Sequence, residues 1–254
     1  MASYFCSLPL NFGNTPTDAM NTALTGGPLT MQDGDTATYW SASSDTGTIV
    51  FPLGASAVQF DAYYLVCENI GGYTGTALTA QTAPRSIGGA TAARDTKQYA
   101  FHEISTQSLT SVTFNWTSRI DSSLPVRVYE FYVLNRIINV SPNEGYRQID
   151  QQLTYRGARI QEALDGTRTR TRPLGNTGKW RVAYTMNLLT DVNAQTERLN
   201  QFFFDSPNFT HVVDYPTHPD RVYRAHLSGD GIRYAYLSPY TASGSTAQFA
   251  IEER

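Results

Sequence analysis

The sequence predicts a mainly β protein in two parts: an antiparallel β-sandwich over residues 1–140, then a smaller β-sandwich with one flanking helix over residues 145–254. Three observations predict it. Short runs rich in β-branched and aromatic residues, each closed by Gly, Pro, Asp or Ser, recur through the first part. One stretch in the second part carries a helical stripe of apolar residues. Between the parts, Val140-Ser141-Pro142-Asn143-Glu144-Gly145 is a turn-rich break across which the charge balance changes, from 6 basic and 10 acidic side chains to 13 and 12.

In the first part the predicted strands are Thr48–Phe51, Val58–Val66, Tyr99–Phe101, Val112–Trp116 and Val126–Val133. Strict alternation in the last of these puts Val126, Val128, Glu130 and Tyr132 on one face and Arg127, Tyr129, Phe131 and Val133 on the other. A carboxylate among apolar neighbours needs a partner, so Glu130 stands out. In the second part Arg168-Thr169-Arg170-Thr171-Arg172 alternates and places three arginines on one strand face. Gly175-Asn176-Thr177-Gly178 then turns the chain, and Lys179–Met186 returns to complete an expected hairpin. The helix follows, capped by Thr190 or Asp191, with Val192, Leu199, Phe202 and Phe203 on one stripe and Asp205-Ser206-Pro207 as its stop. Strands are expected again at Phe209–Val213, Arg221–Ala225, Ile232–Leu237 and Gln248–Ile251.

Composition narrows the function classes. At 254 residues the chain can bury a full core without covalent staples, and two cysteines, Cys6 and Cys67, make neither a disulfide framework nor a metal-ligand spacing. No stretch approaches 18 apolar residues and the N-terminus lacks a basic, then apolar, leader pattern, so neither membrane insertion nor a secretion signal is expected. Charged residues are 16% of the chain, and only Lys97 and Lys179 among 19 basic residues are lysine. Arginine with 16 Tyr and 12 Phe is the bias of surfaces buried against protein partners, although genomic base composition also exchanges lysine for arginine. A net charge of -3 without a basic stripe argues against sequence-specific nucleic-acid binding. The four histidines, the glycines and the paired carboxylates form no recognisable catalytic or phosphate-binding constellation, so no enzyme activity is expected.

Two resemblances sharpen the expectation. Asp33-Gly34-Asp35-Thr36-Ala37-Thr38-Tyr39-Trp40, the strand ending in Leu53-Gly54, and Glu130 in the last strand occur in the order found in galactose-binding-like (discoidin) jelly rolls, which the first part resembles. That resemblance implies a structural calcium site at Asp33, Asp35, Thr38 and Glu130, whose hard oxygen donors suit Ca²⁺. The alternative is that the two aspartates cap a turn and Glu130 finds a backbone or arginine partner. It also implies glycan binding by end loops, with Trp40 and Tyr73 as the ring-bearing residues, Tyr73 alternatively being one packed ring in a glycine-rich turn. The second part resembles the distal-tail and minor-tail proteins of tailed bacteriophages and their tail-tube relatives, in the stretches Leu174–Trp180, Leu199–Phe204, Phe209–Val222 and Phe249–Glu253. This implies a structural component of a tail tip or baseplate, made in the bacterial host cytoplasm and located in the virion tail. Its expected partners are other copies of itself in a ring, the tail tube, and baseplate or fibre proteins. Arg168, Arg170 and Arg172 would then meet carboxylates of a neighbouring subunit, the alternative being a solvated strand face. The other function kept open is a carbohydrate-binding module or adhesin that contacts a host-surface glycan.

Overall fold

The computed structural model describes residues 4–18, 23–25, 27–34, 37–82, 84–86, 97–139, 146–154, 159–162, 168–171, 179–188, 192–212, 222–236 and 245–253. The chain divides into two compact units, Met1–Asn139 with Thr210–Val222, and Val140–Phe209 with Tyr223–Arg254. Strands dominate both, and the protein is mainly β. In the first unit these are β1 (Tyr4–Cys6), β2 (Thr17–Asp18), β3 (Ala23–Thr25), β4 (Trp40–Ala42), β5 (Gly47–Pro52), β6 (Val58–Glu68) and β7 (Ile70–Gly75). They continue with β8 (Leu78–Thr82), β9 (Arg85–Ser86), β10 (Gln98–Leu109), β11 (Ser111–Arg119), β12 (Val126–Leu134) and β13 (Arg136–Asn139). A 3₁₀ turn at Pro28–Gln32 precedes the Asp33 loop. Downstream come β14 (Tyr146–Thr154), β15 (Arg159–Glu162), β16 (Arg168–Thr171), β17 (Lys179–Leu188), helix α1 (Val192–Asp205), β18 (Asn208–Val212), β19 (Val222–Tyr236) and β20 (Ser245–Glu253). The helix is not long and apolar enough to cross a membrane.

The first unit is a sandwich of two antiparallel sheets, β3-β4-β12-β6-β10-β9 and β2-β5-β11-β7-β8. Alternate residues of each inner face meet in one core, with Trp40, Leu65, Val128 and Phe131 from the first sheet against Ile49, Phe51, Phe114 and Trp116 from the second. Its aromatic seam is close-packed: Phe51 stacks on Phe131 at 4.4 Å between centroids, and Trp40 meets Trp116 edge-on at 5.6 Å. Gly47 lets the Trp116 ring lie over the backbone of β5, where a Cβ would come within 1.9 Å of it. The outer face of the six-stranded sheet is also apolar, and its Tyr64, Val66 and Phe101 are covered by Tyr4, Cys6 and Val212. The cover forms because β1 pairs antiparallel with β13 on one side and with Thr210–Val212 on the other. Both cysteines are buried free thiols, and burial pushes the Cys67 thiol well up, so it is an inert filler.

Two sequence expectations change here. Alternation along β12 breaks at a bulge between Val128 and Glu130, so Val126, Val128, Phe131 and Val133 share the core face while Tyr129 and Leu134 join the outer one. One extra residue resets a period of two. The expected hairpin of Arg168–Arg172 with Lys179–Met186 does not form, because β16 pairs with β15 instead, Glu162 opposing Arg168 and Ile160 opposing Arg170. That opposite-charge register is available five residues away, whereas β17 takes two long partners, β14 and β20.

The second unit carries the sheet β19-β20-β17-β14 and the separate ribbon β15-β16. Val182, Tyr184 and Met186 alternate inward on β17, and the helix buries Leu199 and Phe202. Phe203 completes the contact, edge-on to Phe249 at 5.4 Å and to Phe209 at 5.5 Å. Arg221–Ala225 and Ile232–Leu237 were expected as separate strands, but Val222–Tyr236 is one strand with a register shift between Ser228 and Arg233.

Candidate functional site

Of the predicted calcium residues, Glu130 lies on β12, and Asp33 and Thr38 lie in the loop before β4. Pairing of β12 with β4 sets Arg127 opposite Ser41 and Val128 opposite Trp40, which carries the next residues of β12 toward the loop before Trp40. Glu130 is fully buried there. In the loop, Gly34 takes φ +80, a conformation glycine adopts without strain, and the Thr38 hydroxyl donates to the Asp33 carboxylate at 2.6 Å. Asp35 lies outside the described residues. Asp33, Thr38 and Glu130 offer only oxygen donors, the kind a hard cation takes. Among the described residues no group of three His, Cys, Asp or Glu side chains is gathered to hold a metal.

The ring-bearing residues expected to face a glycan do not do so. Trp40 is fully buried against Trp116, and Tyr73 is 2% exposed with its hydroxyl hydrogen-bonded to His102 Nε2 at 2.6 Å. Both belong to the sandwich core, because each sits at an inward position of its strand. Burial also lowers the pKa of His102, so the imidazole in that bond is neutral.

An end of the sandwich that the sequence did not single out is more ordered. Asn69, at φ 62 and buried, donates through Nδ2 to the carbonyls of Asp121 (2.9 Å) and Leu124 (2.8 Å) and accepts from the Asp121 amide at 2.8 Å. This ties the β6–β7 turn to the β11–β12 loop. Arg119 donates to Leu124 O at 2.8 Å and grips Asp45 Oδ1 through Nε at 2.8 Å and Nη2 at 2.6 Å. Trp116 Nε1 fixes the same loop through Ser44 O at 3.1 Å. The guanidinium side chain is 10% exposed and the carboxylate it holds is 71% exposed. Ile120, next along the chain, is 40% exposed. Asp45 and Arg119 are 74 residues apart and belong to no motif, which is why the sequence does not reveal the pair.

A second polar group lies on the outer face of the six-stranded sheet. Arg127 is in register with Glu68 and donates to it at 2.9 Å, and Tyr129 donates to the other carboxylate oxygen at 2.5 Å. Burial, reinforced by the bond to Glu68, raises the Tyr129 pKa, so the phenol keeps its proton. The Arg127 guanidinium lies 5.0 Å from the Tyr39 ring centre, Lys97 Nζ lies 4.6 Å from that of Tyr129, and the two rings meet edge-on at 5.5 Å.

Of the predicted interface arginines, Arg168 and Arg170 occupy alternate positions of β16, and Arg172 lies outside the described residues. The cap residues Thr190 and Asp191 and the turn at 175–178 also lie outside them.

No protein-family model matches the chain, and no curated protein matches it. Among solved structures, the chain is similar to chitosan-binding module 1 of a chitosanase/glucanase from Paenibacillus sp. IK-5, at 16% identity over 49% of this chain and 97% of that one, with a TM-score of 0.37. It is similar to the CBM32-5 module of CpGH89 from Clostridium perfringens, solved in complex with GalNAc-β-1,3-galactose, at 14% identity over 50% and 98%, with a TM-score of 0.36. A third similarity is to SpGH29, at 11% identity over 50% of this chain and 28% of that one, with a TM-score of 0.35.

Proposed function

We propose that the chain is a non-catalytic recognition protein whose first unit binds a glycan at the loop end built on Asp45 and Arg119. The observation that supports this reading is a displayed carboxylate whose Oδ1 is held by a nearly enclosed guanidinium on cross-linked loops. Asp45 Oδ2 has no protein donor among the described residues, and a carboxylate oxygen accepts hydrogen bonds from sugar hydroxyls. Because the loops are already fixed, little ordering entropy opposes binding. In this reading Asp33, Asp35, Thr38 and Glu130 hold a structural calcium ion that stiffens the sandwich and takes no part in recognition. A glycan array with the full chain, followed by titration of its hits against Asp45→Asn, tests it. Loss of a charge-assisted hydrogen bond should weaken binding about tenfold, measured at a temperature where circular dichroism shows the variant folded. An array without hits, or equal affinity for the variant, overturns the proposal.

A second reading is favoured by the β15-β16 ribbon. Two strands that pair only with each other among the described residues are marginal in water, so an arginine-bearing ribbon of this kind suits a contact with a further subunit. In that reading the chain is a structural component of a phage tail tip or baseplate, and the jelly roll faces outward from it as the adhesin.

A further inference from the structure

We infer that Tyr39 and Arg127 form an anion subsite on the outer face of the six-stranded sheet, and that it takes the carboxylate of an acidic sugar. The inference rests on the glycan reading above and names the chemical class of one ligand residue. Three facts about Arg127 carry it. Nη1 is committed to Glu68 at 2.9 Å, and Nε is enclosed. The side chain is nevertheless 34% exposed, so part of the guanidinium reaches solvent. A donor that faces outward from a guanidinium already clamped at its other edge is pre-oriented for an oxyanion. Tyr39 adds a second donor: its half-buried ring lies under that guanidinium, and its hydroxyl has no partner among the described residues.

The surroundings favour an anion over a cation. Glu68 is 7% exposed and accepts from both Arg127 and Tyr129, so its charge is directed inward. Lys97 directly precedes Gln98, which pairs with Cys67, so Lys97 and Arg127 come from the strands on either side of Glu68. Among the described residues, Arg127 lies over Tyr39 and Lys97 over Tyr129, with the enclosed Glu68 between the two strands that lead to them. A sugar ring suits such rings better than a bare ion, since Tyr39 offers an apolar edge beside its hydroxyl.

The test uses the full chain with trigalacturonate and its methyl-esterified, uncharged counterpart, together with the neutral glycan that binds best on the array. Trigalacturonate should bind at least about tenfold tighter than the ester, the worth of one charge-assisted contact, with the preference shrinking as salt rises. Tyr39→Phe should reduce that preference several-fold with an unchanged melting temperature, and Arg127→Lys, which keeps the charge but loses the planar fork, should reduce it while leaving neutral-glycan binding intact. If Arg127→Lys unfolds the chain, Tyr39→Phe still decides. Equal affinity for acid and ester, or a preference that Tyr39→Phe does not touch, overturns the subsite alone. Failure of every saccharide to bind overturns the glycan reading and the subsite with it.

Discussion

His211 shows how one residue couples packing to pH. It is 1% exposed with its ring 5.3 Å from that of Phe5, and burial lowers its pKa from 6.5 to about 3. Between those values the unfolded chain binds a proton that the folded chain refuses. The contribution is therefore complete above about pH 6.5 and is lost as pH falls toward 3, by at most about 1.4 kcal/mol per pH unit. His211→Gln cannot titrate, so urea unfolding at pH 7 and pH 5 should show a larger loss in the parent chain than in the variant. Equal losses would remove His211 as the cause. Other residues were legible only in part. Glu130 stands out in the sequence as a carboxylate in an apolar strand and is buried as expected, but the bulge beside it moves Phe131 to the opposite face from Tyr129. Composition does not mark an inserted residue. Trp40 and Tyr73 mislead for a different reason, since an aromatic near glycines reads the same whether its ring points into the core or out of it.

At the scale of elements, long runs with a clear period were legible and short or long-range pairings were not. β5, β6, β11, β12 and α1 follow from alternation, a helical stripe and their stop signals. β1 has three residues, and its partners lie beyond residue 135, so nothing local announces it. The β16 pairing was missed because turn residues favoured the downstream strand while the charge register favoured the upstream one. β12 and the Asp33 loop carry the calcium proposal, whose donors, Asp33, Asp35, Thr38 and Glu130, come from a 3₁₀ exit turn and a central strand. An ion bridging two such segments stabilises only the folded state, by about 2.7 kcal/mol at a hundredfold excess over its Kd. The melting temperature of the full chain should therefore rise on adding calcium to EDTA-treated protein, and Glu130→Gln should lose that increment. The full chain is required, because Thr210–Val212 completes the strip that includes β1. Identical melting curves with EDTA and with calcium, together with no metal by mass spectrometry, would remove the ion from the account.

At the scale of the whole molecule the question is whether the protein acts alone or as one copy among several. A two-stranded ribbon has no face of its own to bury, and β15-β16 pairs only with itself among the described residues. Alternation puts Arg168 and Arg170 on one face about 7 Å apart, and a continued strand would add Arg172. Cations at that spacing repel unless anions lie near them, and within the ribbon Glu162 opposes Arg168 whereas Ile160 opposes Arg170. Carboxylates of a neighbouring copy suit this better than phosphates, because residues 141–254 hold 13 basic and 12 acidic side chains and lack the excess that nucleic-acid binding needs. Replacing all three arginines with serine keeps residues that a strand tolerates and removes the charges. The variant should keep the parent's melting temperature and circular dichroism but sediment as a monomer under conditions where the parent forms larger species. Normal assembly by the variant would assign the ribbon to solvent, and salt-sensitive DNA binding by the parent that the variant loses would assign it to nucleic acid.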